Sequence, residues 1–386
     1  MPVKLYEAST SAGGRVRSSA GQDHGLHLFS GAAREFRTFL KRIDAQQHFT
    51  ALPPRLRIHD ARSGEDIFIN LRAPRMAAPL VDHVQLLGHL LQPSGLRAEE
   101  LLSPDSPLQD ALLAPASRLV LNQPAHAASA RQFQRVVRRL LRRGALQFYS
   151  ANAPLQQAVI APALARLEYL GGSVYFGQAL KGFDSTADGV SQLHFARKKF
   201  PLSPGDVLIL ATPAPVTQNI LKQVHVPAQQ HSAITLHYTV EHREPVGQHI
   251  VLTNGVADLL RYDAGGISAS IRVAEHCWAR DEETLARSLW QQLQALHPYL
   301  KTTSMPGYSS WREKRAGHVP QDEALPPFEL PPRVLLAGDW LDATRPATME
   351  AAALHGHRAA DAALALLGKN PLPSQHDFYL NSATTR

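Results

Sequence analysis

The sequence predicts an α/β protein with a discontinuous, Rossmann-like parallel sheet and an inserted α+β region. Three observations carry that prediction. Residues 2–7 form a short apolar strand (Val3, Leu5) that ends in an acid, Glu7. In a Rossmann-type unit an acid at the end of the second strand binds a ribose hydroxyl. Residues 206–212, DVLILAT, form the continuous apolar run expected of a strand buried on both faces. Residues 333–367 read as a strand (RVLLA), a turn at Gly338–Asp339 and an Ala-rich helix.

The other elements follow in order. Residues 32–43 predict a helix whose apolar stripe is Phe36, Phe39, Leu40 and Ile43. Residues 51–72 predict a hairpin with RSGED (62–66) as its turn, and 76–150 are mostly helical, broken at Pro93–Ser94–Gly95 and again at 103–107. A helix over 155–170 stops at Gly171–Gly172, a C-cap signal, and a strand at 173–176 and a short element at 179–183 follow. Thr-, Val- and Ile-rich runs at 232–240, 249–253 and 267–273 predict an antiparallel sheet in a second domain. Residues 281–297 form an amphipathic helix through Leu285, Leu289, Leu293 and Leu296, and the chain then returns to its first domain. The tail from Lys369 is expected to be loosely ordered.

With 386 residues, two domains or one interrupted domain are expected. The single cysteine, Cys277, excludes an internal disulfide framework and a cysteine zinc site, and fits a reducing cytosol. Nineteen histidines are present, none in a metal-ligand spacing. No run approaches a membrane span and no signal-peptide pattern opens the sequence. The net charge of +7 permits anionic partners. Nucleic acid is not expected, since no zinc-finger or RNA-binding signature accompanies the charge. A membrane surface fits better, because residues 131–144, RQFQRVVRRLLRRG, set Phe133, Val136, Val137, Leu140 and Leu141 at helical spacing among arginines. The alternative is an ordinary surface helix with a buried stripe, and the pattern favours it.

The segment at 333–367 carries the most specific chemistry. Gly338 lets backbone approach a ligand closely, Asp339 can accept hydrogen bonds from a polyol, and Thr348 is placed as an N-cap. Taken together, Glu7, Gly13–Gly14–Arg15 and Gly338–Asp339 resemble the flavin amine oxidase and phytoene desaturase superfamily, with its E-A-x-x-x-x-G-G-R and A-G-D patterns. More narrowly, the sequence looks like the hydroxysqualene dehydroxylases of hopanoid biosynthesis. The likeness runs through 23–36, 121–133, 149–174, 311–320 and 337–352.

That resemblance implies an FAD-binding domain made of 1–50, 151–231 and 325–368, a substrate domain of 51–150 and 232–324, and a flexible tail at 369–386. It implies that Glu7 holds the adenosine ribose and that Gly13, Gly14 and Arg15 run past the pyrophosphate and flavin. Leu180 stands where backbone meets adenine, Asp339 at the pyrophosphate–ribityl region, and Thr348 and Met349 at one edge of the flavin. The implied reaction is reductive dehydroxylation of a squalene-type isoprenoid, with the enzyme in the cytoplasm and peripheral on the inner membrane surface through the basic helix. No G-x-G-x-x-G precedes Glu7. The first strand and glycine loop of the expected domain are therefore absent from the sequence. A flavin desaturase or amine oxidase with another substrate, or an inactive N-terminally truncated remnant, stays open beside the main reading.

In DHGLH (23–27), His27 matches the histidine of the family's D-N-G-x-H segment, with His24 where asparagine is common. His27 is the catalytic candidate, as a general acid or a hydrogen-bonding group at a departing hydroxyl. The other reading has it bonded to backbone beside the flavin. Asp23 reads as a turn residue, and Lys314 and Arg315 read as surface decoration. Cys277 lacks a nearby base, and His355 and His357, two apart on a helix, face different sides.

Overall fold

The computed structural model describes residues 2–73, 78–91 and 95–369. The expected break at Pro93–Ser94 and the tail beyond Lys369 lie outside the described residues. Eight α-helices are described: α1 (Arg34–Arg42), α2 (Leu80–Leu91), α3 (Ala114–Leu119), α4 (Ala130–Leu140), α5 (Ala161–Tyr169), α6 (Ala214–Ile220), α7 (Glu282–Leu296) and α8 (Met349–Leu366). Their ends follow local chemistry. Ser129 and Gln132 form a reciprocal capping box at α4, with Ser129 Oγ accepting from Gln132 N at 3.1 Å. Asp281 caps α7 by accepting from Thr284 N at 3.0 Å. After α5, Gly171 takes a left-handed φ of 82° and donates its N–H to Glu168 O.

The largest sheet has seven strands, in the order Tyr308–His318, Gln230–Tyr238, Gly266–Arg272, Leu259–Asp263, His249–Thr253, Arg55–Asp60 and Asp66–Asn70. All neighbours are antiparallel except His249–Thr253 and Arg55–Asp60, which run parallel. The hairpin expected over 51–72 thus joins the sheet expected over 232–273. One face is apolar: Ile234, Leu236, Tyr238, Ile267, Ala269 and Ile271 pack under Leu285, Leu289, Trp290 and Leu293 of α7. The alternate residues Thr235, His237, Ser268, Ser270 and Arg272 point to the other face. Thr235, His237, Ser268 and Ser270 are buried although polar.

Two small parallel pairs complete the α/β character: Lys4–Tyr6 with Ser173–Tyr175, and Leu208–Leu210 with Val334–Leu336. Each is a two-stranded sheet. The run 206–212 is therefore not buried on both faces: Ile209 is exposed, as are Val3 and Leu5. A strand with one neighbour lacks the flanking cover that buries both of its faces.

The basic helix is shorter than its sequence pattern, and its stripe is spent inward. Phe133 and Val136 are buried in a helical core with Leu101, Leu108, Leu113 and Leu121, and Val137 and Leu140 pack against that core. Leu141 alone of the stripe is well exposed.

An ion-pair knot ties this helical region to the large sheet. Arg118 of α3 pairs with both carboxylate oxygens of Asp258 and donates to Arg272 O at 2.8 Å. Asp258 also accepts from Arg272 N at 2.6 Å, and the Arg272 guanidinium donates to Asn122 Oδ1 at 3.0 Å. Asp258 is buried, so its removal strands the Arg118 guanidinium and the Arg272 backbone N–H. Asp258→Ala is expected to destabilise the fold by about 3 kcal/mol or more, read as a lowered urea midpoint.

Candidate functional site

The turn at Gly13–Gly14 depends on glycine: φ is 123° at Gly13 and 53° at Gly14. It delivers Arg15 to the far end of the sequence. Arg15 Nη2 pairs with Asp339 Oδ2 at 2.6 Å, and Nη1 donates to Ala316 O at 3.0 Å. Asp339 is buried. At Gly338 an added Cβ would stand 2.5 Å from Trp340 Nε1, so the strand end turns tightly against its own indole.

The N-terminus of α8 completes this corner. Thr348 Oγ1 accepts from Ala351 N at 3.2 Å. The N–H groups of Met349 and Glu350 precede any intrahelical acceptor, and the helix dipole makes this end positive. Glu350 fixes the corner by accepting from Glu35 N at 3.2 Å and Phe36 N at 2.8 Å, which caps α1 with a carboxylate from α8. Burial nonetheless raises the Glu350 carboxyl above its ordinary value. Val16 and Met349 pack against the same apolar cluster, around Phe36 and Leu40. Gly317 closes the corner on the sheet side: an added Cβ would lie 2.7 Å from Ala347 Cβ and 3.0 Å from His231 Nε2.

Glu7 and Leu180 form a separate group at the end of the first parallel pair. Glu7 donates its N–H to Tyr175 O at 2.9 Å, accepts from Gln178 N at 2.8 Å, and its carboxylate accepts from Ser9 N at 2.8 Å. Leu180 opens the next strand and packs in one cluster with Tyr6. Hydrogen bonds tie this group to its own turn, not to the Arg15–Asp339 pair.

The DHGLH segment is held against the polar face of the large sheet. Asp23 accepts from Ser18 Oγ and from Leu155 N at 2.8 Å, a capping role that suits a turn residue. His24 stacks on Trp311 with centroids 5.3 Å apart. His27 Nδ1–H donates to Gly25 O at 2.8 Å, which leaves Nε2 as a bare acceptor. Burial, then the Arg272 charge, push His27 down to about 4, with Arg15 and Arg261 adding to the effect. At neutral pH His27 therefore has no proton to give as an acid, but it can accept a hydrogen bond at Nε2.

Four further residues meet here that the sequence did not single out. His231 is buried, donates from Nδ1 to Ser232 O at 3.3 Å and has no partner at Nε2. Burial first and Arg272 second push it down to about 3. His318 donates from Nε2 to Arg345 O at 2.7 Å and has no partner at Nδ1. Arg272 holds Asn122 but leaves Nε–H unpartnered. The alternation in ISASIR (267–272) was the available signal: one face apolar, the other Ser268, Ser270 and Arg272.

These groups fit a flavin dinucleotide in kind. Arg15 and the α8 N-terminus suit diphosphate anions and a ring that gains negative charge. His231 Nε2, His318 Nδ1 and Arg272 Nε–H are buried polar atoms that await a partner. The remaining candidates stay outside this chemistry. Lys314 and Arg315 are exposed, Cys277 is buried with its thiol pushed up by burial, and His357 pairs with Glu35. Among the described residues no cluster could hold a metal ion.

Two outcomes follow. Unfolded, His231 takes up a proton near its ordinary 6.5, and folded only near 3. The unfolded state therefore binds more protons as pH falls below about 6.5, and stability present above that pH is lost on acidification. His231 alone should remove about 1–2 kcal/mol between pH 7 and pH 5, and His231→Gln should flatten the fall in melting temperature over that range. Gly317→Ala, which drives a methyl group against Ala347 Cβ and the His231 ring, should cost about 1–3 kcal/mol and lower the flavin absorbance retained on purification.

Comparison with known proteins gives this corner a context. The flavin containing amine oxidoreductase family matches residues 1–364. A hydroxysqualene dehydroxylase of Zymomonas mobilis is 29% identical over 94% of this chain and 93% of its own length. One of Rhodopseudomonas palustris is 26% identical over 95% and 93%. Among solved structures, putrescine oxidase bound to putrescine superposes with a TM-score of 0.65 at 14% identity, covering 93% of both chains. An oxidoreductase from Methanosarcina mazei superposes at 0.67 with 13% identity, covering 95% of this chain and 94% of its own. These two share the fold. With the family matched across nearly its whole length, the chain belongs to the flavin containing amine oxidoreductases and is an FAD-dependent oxidoreductase.

Proposed function

We propose that this enzyme removes the hydroxyl of hydroxysqualene to give squalene, a step of hopanoid biosynthesis. The observation that carries the proposal is the end-to-end likeness to proteins named hydroxysqualene dehydroxylase. The two parallel strand pairs are the flanks of one Rossmann-like FAD-binding sheet, in a domain of residues 1–50, 151–231 and 325–368. Residues 51–150 and 232–324 form the substrate domain. Glu7 binds the adenosine ribose, Leu180 backs the adenine, and Gly13, Gly14, Arg15, Gly338 and Asp339 line the diphosphate and ribityl chain. Thr348 and Met349 meet the flavin edge.

When bound and reduced, FAD would supply the hydride for the allylic carbon. The chain's own residues manage the departing oxygen. As the C–O bond breaks, negative charge grows on that oxygen. The Arg272 Nε–H, buried and without a protein partner, donates a hydrogen bond to it. His27 Nε2 accepts from the substrate O–H and aims the C–O bond, a positioning role that needs no proton of its own. The oxygen would leave as water by taking a proton from solvent, since His27 and His231 are neutral. Arg15, Arg261 and Arg272 all act on His27; Arg15 is paired with Asp339 and Arg261 with Asp263, and the Arg272 guanidinium is held by a neutral partner, Asn122. The Arg272 charge favours a leaving hydroxyl and opposes the ammonium group of an amine substrate.

Purified enzyme loaded with FAD, given hydroxysqualene and dithionite without oxygen, should form squalene detectable by mass spectrometry. Full flavin occupancy with no squalene would remove the proposal in favour of another desaturase or amine oxidase substrate. Arg272→Gln should lower kcat/KM about a hundredfold while flavin content is kept.

A further inference from the structure

Helix α2 has two unlike sides. Asp82, Leu86 and Leu90 turn inward: Asp82 accepts from buried Ser106 Oγ, and Leu86 and Leu90 join the helical core. On another side Leu80, Val84, Leu87 and Leu91 stand at i, i+4, i+7 and i+11 and form one stripe. They are 78, 62, 56 and 69% exposed, and Val81 beside them is 66% exposed. Apolar side chains on protein surfaces normally occur singly, whereas a continuous stripe marks an interaction site.

The charge beside the stripe identifies the partner. Gln134 of α4 donates to Leu90 O and fixes α4 against the C-terminal turn of α2. Arg131, Arg138 and Leu141 lie three, four and seven residues from Gln134 and share its side of α4; all three are exposed. Arg142 and Arg143 follow, also exposed. The nearby acids are few: Glu99 and Glu100 sit on the turn Ala98–Leu101 that packs against both helices, and Glu100 is bonded to Arg97 N. The stripe thus has an arginine rim along one flank. A second copy of the chain docked stripe to stripe would bring two such rims together. An anionic bilayer neutralises them.

We infer that α2 lies in the surface of an anionic membrane, with its Leu80–Val84–Leu87–Leu91 stripe among the acyl chains and the α4 arginines on the headgroups. An interfacial helix works in this way, through buried apolar area plus attraction to anionic lipid. The division of labour differs from a single basic amphipathic helix. α4 has spent its apolar side on the protein core, so α2 supplies the grease and α4 the charge. The inference stands whatever the substrate is.

Sedimentation with lipid vesicles tests it on the full chain loaded with FAD. The wild type should bind phosphatidylglycerol-containing vesicles at least about tenfold more tightly than phosphatidylcholine alone, and be released by high salt. Val84→Glu/Leu87→Glu should weaken binding to the anionic vesicles about tenfold or more. Both positions are exposed, so circular dichroism and melting temperature should be unchanged. Arg138→Glu/Arg142→Glu should abolish the preference for anionic lipid and leave the remaining binding in place. Failure of the wild type to bind anionic vesicles would overturn the inference, as would binding that ignores the Val84→Glu/Leu87→Glu change. Light scattering that shows a dimer dissolved by the same change, with no vesicle binding, would assign the stripe to a second copy instead.

Discussion

The ion pair between Arg15 and Asp339 joins positions 324 residues apart, and the rest of the site is arranged around it. A buried carboxylate needs a partner, because desolvation otherwise drives it to its neutral form. Arg15 can be that partner only if the Gly13–Gly14 turn bends through φ values that side chains resist. Asp339 follows Gly338, two residues past the strand Val334–Leu336, where a Cβ would collide with the Trp340 indole. Each end of the chain therefore carries a backbone feature that makes sense only in the presence of the other. The Glu350 cap on α1 reinforces this closure, since it ties the start of α8 to the first helix through two backbone N–H groups.

The closure meets the large sheet on its polar face, which sets the character of this corner. A sheet with one apolar face usually turns its other face to water. Here that second face is buried as well, under the segment carrying His24 and His27. Burying Thr235, Ser270 and His231 without full hydrogen bonding costs free energy, since a stranded donor or acceptor loses its water and gains nothing. Such groups suit a ligand, and His231 lies close enough to Arg272 and Arg15 to feel their charge. Arg118, Asp258 and Arg272 hold that region rigid by joining α3 to the sheet.

Local structure was legible in the sequence because its signals are local. The Gly171–Gly172 stop, the Thr348 cap, the RSGED turn and the leucine stripe of α7 each act within a few residues. Arg15 and Asp339 were legible as parts of two short motifs, and their meeting rests on the folded chain. What was not legible depends on partners distant in sequence. The run 206–212 looked doubly buried because apolar composition says nothing about how many neighbours a strand finds. Residues 131–144 looked able to lie on lipid because an amphipathic stripe does not say which apolar surface it covers. His231 and Arg272 escaped notice because a lone histidine or arginine in a strand is common. Their significance arises only when the register sets the alternate residues of both strands on one buried face.

On the proposed dehydroxylation, the arrangement would let one site serve an anionic cofactor and a neutral, apolar substrate. Cations placed in a low-dielectric region act strongly on any charge that forms there, and weakly on a neutral molecule. A bound dinucleotide would engage that field through its phosphates. In the proposed reaction, an alcohol in the same region would be nearly indifferent to the field until its C–O bond began to break. The field then acts on the developing charge and lowers the barrier more than it tightens ground-state binding. Histidines held neutral fit this division. A protonated His27 or His231 would meet the charge of Arg272, whereas the neutral rings keep bare nitrogens that accept hydrogen bonds. The cationic charge is thus assigned to arginines, which cannot shed it, and the adaptable hydrogen bonding to histidines, which burial keeps uncharged.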